Sequence, residues 1–234
     1  MSEPLDHPTR PRIRLELPFT AADALKVLLA ISVVLFAISL SLSVAEELGW
    51  ERLSDRAGSL LDTDSERSAA NWFSSCLLLL CGLLALAAAT RSRRFAAWAL
   101  MAVIFVAMSA DEMMVVHEEI GARIQDALDT GGLLRFGFVI PGAVAVVGVI
   151  VLFAPLIKSL PAPTRTSFLL GAALYFGGAL VLEALGGLAF DTAGRDSQTY
   201  AVVVNIEELF EMAGTSLLVY ALATQSMASL PEPS

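Results

Sequence analysis

The chain has 234 residues, of which 56% are hydrophobic and 17% charged, whereas a soluble domain carries about a quarter charged residues. Together with a mean hydropathy of +0.70, that excludes both an ordinary soluble domain and a disordered chain. A net charge of −9 and a pI of about 4.7 argue against nucleic acid as a partner, which leaves the lipid bilayer as the partner that composition implies.

A membrane-crossing helix needs about 20 apolar residues, and the sequence supplies six such stretches. Residues 1–20 are polar and proline-bearing, with Arg10, Arg12 and Arg14, and read as a mobile tail. Thr20-Ala21-Ala22-Asp23 then has the pattern of a helix N-cap with an acid at the third position. The first span covers about 22–44, too long for a signal-peptide core, and runs into Glu46-Glu47 without a cleavage pattern. The second covers about 71–90. The third starts at Phe95 and its helical pattern continues to about Ile120, with Gly121 as a stop. The fourth, fifth and sixth cover about 137–157, 167–190 and 200–225, and residues 227–234 form a short proline-bearing tail. The predicted fold is therefore all-α, a six-helix transmembrane bundle occupying residues 21–226.

Orientation follows from Lys and Arg in the short connections. Arg91, Arg93, Arg94, Lys158 and Arg165 lie on the same side as the N-terminal arginines, which predicts both termini inside. The outer loops are then about 45–70, 121–136 and 191–199. Trp50, Trp72 and Tyr200 at the outer boundary, with Trp98 and Tyr220 near the inner one, match aromatic belts. Cys76 and Cys81 lie five apart within one apolar stretch, and a bridge there would distort a helix. Only His7 and His117 are present, which argues against bis-histidine haem and three-histidine zinc sites. His117-Glu118-Glu119-Ile120-Gly121 begins like HExxH but lacks the second histidine.

The informative residues are carboxylates in apolar surroundings. The third span ends with Asp111, Glu112, His117, Glu118 and Glu119, the fifth contains Glu183, and the sixth contains Asn205, Glu207, Glu208 and Glu211. At 1.5 Å per residue Asp111 and Glu183 each lie about 24 Å from the inner end of their spans. Glu208 and Glu211 lie about 12 and 16 Å below the outer boundary. Three non-adjacent spans thus bring acids to a similar depth in the outer half of a core about 30 Å thick. On a continuous helix Asp111 and Glu118 share one face, Glu112 and Glu119 another, and His117 points about 120° away from Asp111. Glu207, Glu208 and Glu211 line one stripe. Glu183 shares its face with Ala172, Ala179 and Gly187, small residues that admit a neighbouring helix.

No Lys or Arg lies within the apolar parts of the third, fifth and sixth spans. The acids must then be protonated, hydrated or bound to a cation. Several carboxylates and an imidazole on facing helices form the ligand set of one or two transition metal ions. The expected ligands are Asp111, Glu118, Glu183, Glu208, Glu211 and His117, with Glu112, Glu207 and Asn205 as secondary candidates, and iron, manganese or zinc as the metal. Neither histidine has a glutamate three residues before it, so the soluble di-iron pattern is not reproduced. Ser109, Asp111 and His117 supply the residue types of a nucleophilic triad, yet Ser109 and His117 lie about 12 Å apart along a helix.

The run Ser109-Ala110-Asp111-Glu112 with His117-Glu118, then Phe138-Val139-Ile140-Pro141-Gly142, Leu174-Tyr175-Phe176-Gly177-Gly178, Glu183, and Glu207-Glu208-Leu209-Phe210-Glu211-Met212, resembles a set of uncharacterised multi-pass bacterial inner-membrane proteins. They share a "DE…HE" turn and a late "EE…E" membrane span. The resemblance covers about 105–225 and implies a six-helix fold in a bacterial inner membrane, with no activity attached. The expected function is an acidic intramembrane pocket open to the outer side, metal-binding and acting on a lipidic or membrane substrate. The alternatives are a cation- or proton-coupled transporter, in which the same acids titrate, and a non-catalytic scaffold or sensor, in which they form a structural network.

Overall fold

The computed structural model describes residues 20–48, 58, 60–63, 65 and 68–228, and these are all helical or connecting. The tails at 1–19 and 229–234, Trp50 and most of the acidic 45–70 loop lie outside the described residues. In chain order the helices are α1 (Ala21–Glu47), α2 (Ala69–Ala89), α3 (Phe95–Met114), α4 (Val116–Leu128), α5 (Val139–Lys158), α6 (Ala162–Phe176), α7 (Glu183–Ala193) and α8 (Gln198–Ala228). A 3-10 turn (Gly132–Leu134) lies between α4 and α5, and a π-helical turn (Gly177–Leu182) joins α6 to α7.

Local chemistry explains the helix starts. Thr20 and Asp23 cap α1 reciprocally: Thr20 Oγ1 accepts from the Asp23 N–H at 3.1 Å, and Asp23 Oδ2 accepts from the Thr20 N–H at 3.3 Å. Ser68 caps α2 by accepting from the Asn71 N–H at 3.1 Å. Pro161 precedes α6, whose first turn accepts Pro163 because its N–H would have no helical partner.

Five stretches are long and apolar enough to cross a membrane: Ala21–Ala45, Ala69–Ala89, Phe95–Met114, Val139–Lys158 and Ala162–Ala193. The last is α6, the π turn and α7 taken together. α8 misses that class because Glu207, Glu208 and Glu211 interrupt its apolar run. Its 31 residues nevertheless measure about 46 Å, longer than the hydrocarbon layer. α8 is the central helix and packs against α1, α2, α6, the π turn and α7. The helix that carries Glu207, Glu208 and Glu211 is thus the one packed against the most neighbours. Val144, Val147, Ile150, Val151 and Leu152 of α5 are instead exposed, as suits a lipid-facing wall.

Small residues set the close contacts, because apolar surface gives no driving force between helices in lipid and van der Waals packing must supply it. On α2, Leu78, Cys81, Ala85 and Ala89 are buried against Trp98, Met101, Ala102 and Phe105 of α3 in the main core. Ser75 and Ser109 lock that hairpin by exchanging bonds with each other's carbonyls at 2.9 and 2.8 Å. Ser109 is therefore an interhelical link. On α6, Gly171 lies against Gly214 of α8, where a Cβ on Gly214 would meet the Tyr175 nitrogen at 2.5 Å and the Gly171 carbonyl at 2.7 Å.

Several sequence expectations change. The third span breaks at Val115 instead of continuing to Ile120, and the predicted outer loop at 121–136 is largely helix α4. Gly121 is not a stop. It lies inside α4, where a Cβ would meet the Phe138 nitrogen at 3.0 Å, and a Cβ on Gly137 would meet the Gly121 carbonyl at 2.5 Å. These two glycines let α4 fold back onto the start of α5. Trp98 and Tyr200 are core residues, 2% and 7% exposed, not belt residues, whereas Trp72 is exposed. Both cysteines are free, Cys81 buried and Cys76 exposed.

Gly214→Ala should destabilise the protein by about 1–3 kcal/mol, because the clash is with backbone that cannot rotate away. Gly148→Ala should stabilise it by about 0.5–1 kcal/mol, since nothing lies within 4 Å of a Cβ there and alanine loses less backbone entropy inside a helix. Thermal unfolding in mild detergent checks both.

Candidate functional site

The acids converge where two of the helices that carry them depart from α geometry. α3 ends because Val115 adopts φ 57° and ψ 33°, the left-handed region. A β-branched residue is strained there by its Cβ. The Val115 N–H still donates to the Asp111 carbonyl at 2.7 Å. Beyond the break, the Asp111 side chain caps the new helix: Oδ1 accepts from the His117 N–H at 3.0 Å, and Oδ2 lies 2.9 Å from His117 Nδ1. The His117 ring packs against Phe138 at a centroid separation of 5.1 Å. The expected 120° separation of His117 from Asp111 is thus corrected. It assumed a continuous helix, and the single left-handed residue resets the phase so that the two side chains meet. The shared face of Asp111 and Glu118 is lost for the same reason, and Glu118 is exposed on α4.

The second departure is the π turn at Gly177–Leu182. The Glu183 N–H donates to the Gly178 carbonyl, five residues back. Such turns are frequent at functional sites. The wider turn shifts the register of everything after it. Gly178 rests on α8, where a Cβ would meet Glu211 Cγ at 2.8 Å and the Glu207 carbonyl at 3.0 Å. Gly171 and Gly178 provide the close approaches to α8, Gly186 lies at ordinary contact distance from Val203 and Glu207, and Gly187 instead meets the 3-10 turn at the Gly132 carbonyl. The sequence had placed the small-residue face at Ala172, Ala179 and Gly187, one position away, because it counted an unbroken α-helix.

Glu207 and Glu211, 9% and 8% exposed, are the deepest carboxyls. Glu183 lies close enough to Glu207 for their carboxyls to interact. Two like charges at that range repel unless a proton or a cation comes between them. The charged groups acting on Glu211 are Glu112, Glu208 and Glu183, and those acting on Glu207 are Glu183, Glu211 and Glu208, with no cation among them. Glu112 connects this group to the outer edge, where it interacts with His117, Asp111 and Glu118.

The structure therefore brings Glu112, Glu183, Glu207, Glu208 and Glu211 into one electrostatically linked group, with the Asp111–His117 pair at its rim. It does not bring in Asn205. That side chain donates to the Ala201 carbonyl at 2.8 Å and accepts from Thr63 at 3.3 Å, and Thr63 also lies 3.1 Å from Ser39 Oγ on α1. Asn205 bridges α8 to α1. Arg135 does not reach the acids either: it pairs with Asp191 and lies 3.8 Å over the Phe190 ring. Sequence reasoning missed Tyr175, buried on α6, whose phenol interacts with Glu211, Glu112, Asp111 and Glu208. Its eight-residue spacing before Glu183 on one span was the available signal. Among the described residues, no three His, Cys, Asp or Glu side chains converge closely enough to hold a metal ion. Asp111 is committed to His117 and the α4 cap, and Glu183 is committed to Glu207.

Fold and site together define an all-helical protein with several membrane-length apolar helices and a carboxyl group cluster within them. The chain belongs to the family described as a domain of unknown function, DUF8692, which it matches over residues 24–225, from the first turn of α1 to the last turn but one of α8. No curated protein and no solved structure matches the chain.

Replacing Val115 by Gly removes a left-handed penalty of about 1–2 kcal/mol against an entropy cost of about 0.5–1 kcal/mol. Val115→Gly should therefore leave stability unchanged or raised by up to about 1 kcal/mol. Met114→Gly, in regular helix, should lose about 1 kcal/mol. The comparison is read from the two unfolding midpoints.

Proposed function

We propose that this chain is a six-span protein of the bacterial inner membrane, with both termini in the cytoplasm, that takes up protons from the outer side into its carboxyl cluster and couples them to transport. What supports the reading is the meeting of Glu183 on α7 with buried Glu207 on α8, in surroundings whose other interacting charges are carboxylates. Carboxyls that meet in this way can share and exchange a proton, and intramembrane acids on facing helices are usual parts of proton relays. His117, oriented by Asp111 at the rim, is the entry group, since an imidazole can take a proton on one ring nitrogen and release one from the other. Glu112 then stands between the rim and Glu211. The basic end formed by residues 91–94, 158 and 165 supports the orientation.

One feature favours a second reading, metal binding. A carboxylate on Nδ1 leaves the other imidazole nitrogen available, the arrangement that orients metal-ligating histidines. In that reading iron, manganese or zinc would draw on His117 and Glu112, with Glu118, Glu183, Glu208 and Glu211 closing in, Asp111 supporting the imidazole, and catalysis on a lipidic substrate as the consequence.

One preparation tests both. The protein is purified in mild detergent without chelator or added metal. Metals are measured by elemental mass spectrometry, and protonated carboxyls by infrared difference spectroscopy on a pH step. The proton reading expects a carboxylic acid band that is lost in Glu207→Gln and retained in Glu119→Gln. It also expects proton flux in liposomes that falls at least tenfold in Glu207→Gln and Glu211→Gln. Stoichiometric metal in the wild type, absent from the Glu183→Gln/Glu211→Gln double variant, would replace it with the metal reading. Neither metal nor flux in folded protein would leave a structural network and overturn both.

A further inference from the structure

At the end of the bundle opposite the acids, two short connections carry five cations: Arg91, Arg93 and Arg94 between α2 and α3, and Lys158 and Arg165 around the start of α6. Neither 67–110 nor 130–182, the stretches that contain them, has an Asp or Glu. Asp23, at the α1 start, is engaged by Lys26 at 3.0 Å and by Thr20.

Three of the arginines are anchored instead to backbone carbonyls near helix C-termini. Arg94 Nη1 donates to the Pro155 carbonyl of α5 at 2.9 Å, Arg91 Nη1 to the Ser226 carbonyl of α8 at 3.3 Å, and Arg165 Nη1 to the Lys158 carbonyl at 3.4 Å. The Arg94 N–H also donates to Ser92 Oγ at 3.0 Å, which fixes the turn. These bonds complement the negative ends of the helices. They also draw the two connections together and hold the arginines in place. A guanidinium has five N–H donors, and each of these contacts engages one nitrogen, so donors remain for an incoming ligand. Arg93 and Lys158 are exposed beside them. Preset arginines with unspent donors fit phosphate, whose oxygens take paired N–H bonds. The site lies where the apolar part of α5 ends, so the phosphate within reach is that of the adjoining leaflet.

We infer that this basic end is a binding site for the phosphate headgroup of an anionic phospholipid, seated between the α2–α3 turn and the junction of α5 and α6. The lipid's acyl chains then lie along the exposed apolar face of α5, whose Ile150, Val151 and Leu152 are open. The site does not involve the carboxyl cluster and stands whether or not that cluster carries protons.

The test uses the full chain in mild detergent with equal amounts of phosphatidylglycerol and phosphatidylcholine, and reads retained lipid by native mass spectrometry. The wild type should retain the anionic lipid several-fold over the zwitterionic one. Each cation near an anionic headgroup is worth about fivefold, so Arg93→Gln/Lys158→Gln should remove most of that preference. Neither side chain anchors a helix, and unchanged unfolding midpoints confirm that the variant is folded. Arg123→Gln, at the other end, should change nothing. Equal retention of the two lipids by the wild type, or an undiminished preference in the folded double variant, would overturn the site. Complete displacement of the lipid by millimolar inorganic phosphate would reassign it to a free anion and overturn the headgroup reading.

Discussion

The structure depends on how closely α6 and the π turn approach α8. Three glutamates on one helix of a bundle with membrane-length apolar helices are costly wherever they meet lipid. The helix is tolerated only if other helices cover it. Gly171, Gly178 and Gly214 make that cover tight, because their missing side chains let backbone meet backbone. α1, α2 and α7 complete the enclosure. Three of the five most apolar stretches, Ala21–Ala45, Ala69–Ala89 and Ala162–Ala193, thus pack around the helix that carries the glutamates.

Enclosure alone would give a row of buried acids. Two backbone irregularities turn it into a connected group. The left-handed Val115 swings His117 onto Asp111, and the π turn brings Glu183 to Glu207. Each irregularity costs something locally, through a strained β-branched residue in one case and a widened turn in the other. Both occur at the acids. Strain that the fold retains at a cluster of ionisable groups is the usual mark of a site in which those groups are used.

The two ends of the molecule are built differently. The acid-bearing side is closed by Arg135 on Asp191 and the edge-to-face rings of Phe136, Phe190 and Tyr200. The opposite side ends in arginines tied to helix carbonyls, in connections that contain no carboxylate of their own. That asymmetry gives the bundle a direction across the bilayer.

Much of the architecture was legible before folding. Composition and run length determined an all-helical chain of membrane-length spans, because a bilayer requires about 20 apolar residues per helix and leaves backbone no other partner. Thr20 and Asp23 marked the start of α1 within a residue. That acids from separate helices come to a common level followed from residue counting, since rise per residue hardly varies between helices. Angular position did not follow. It accumulates 100° per residue, so one left-handed residue or one π turn displaces every later side chain. Neither Val115 nor Gly177–Leu182 carries a sequence mark of such a break: valine disfavours the left-handed region, and glycines are common in membrane helices. The pairing of Asp111 with His117, of Glu183 with Glu207, and the burial of Trp98 and Tyr175 were therefore decided by tertiary packing alone.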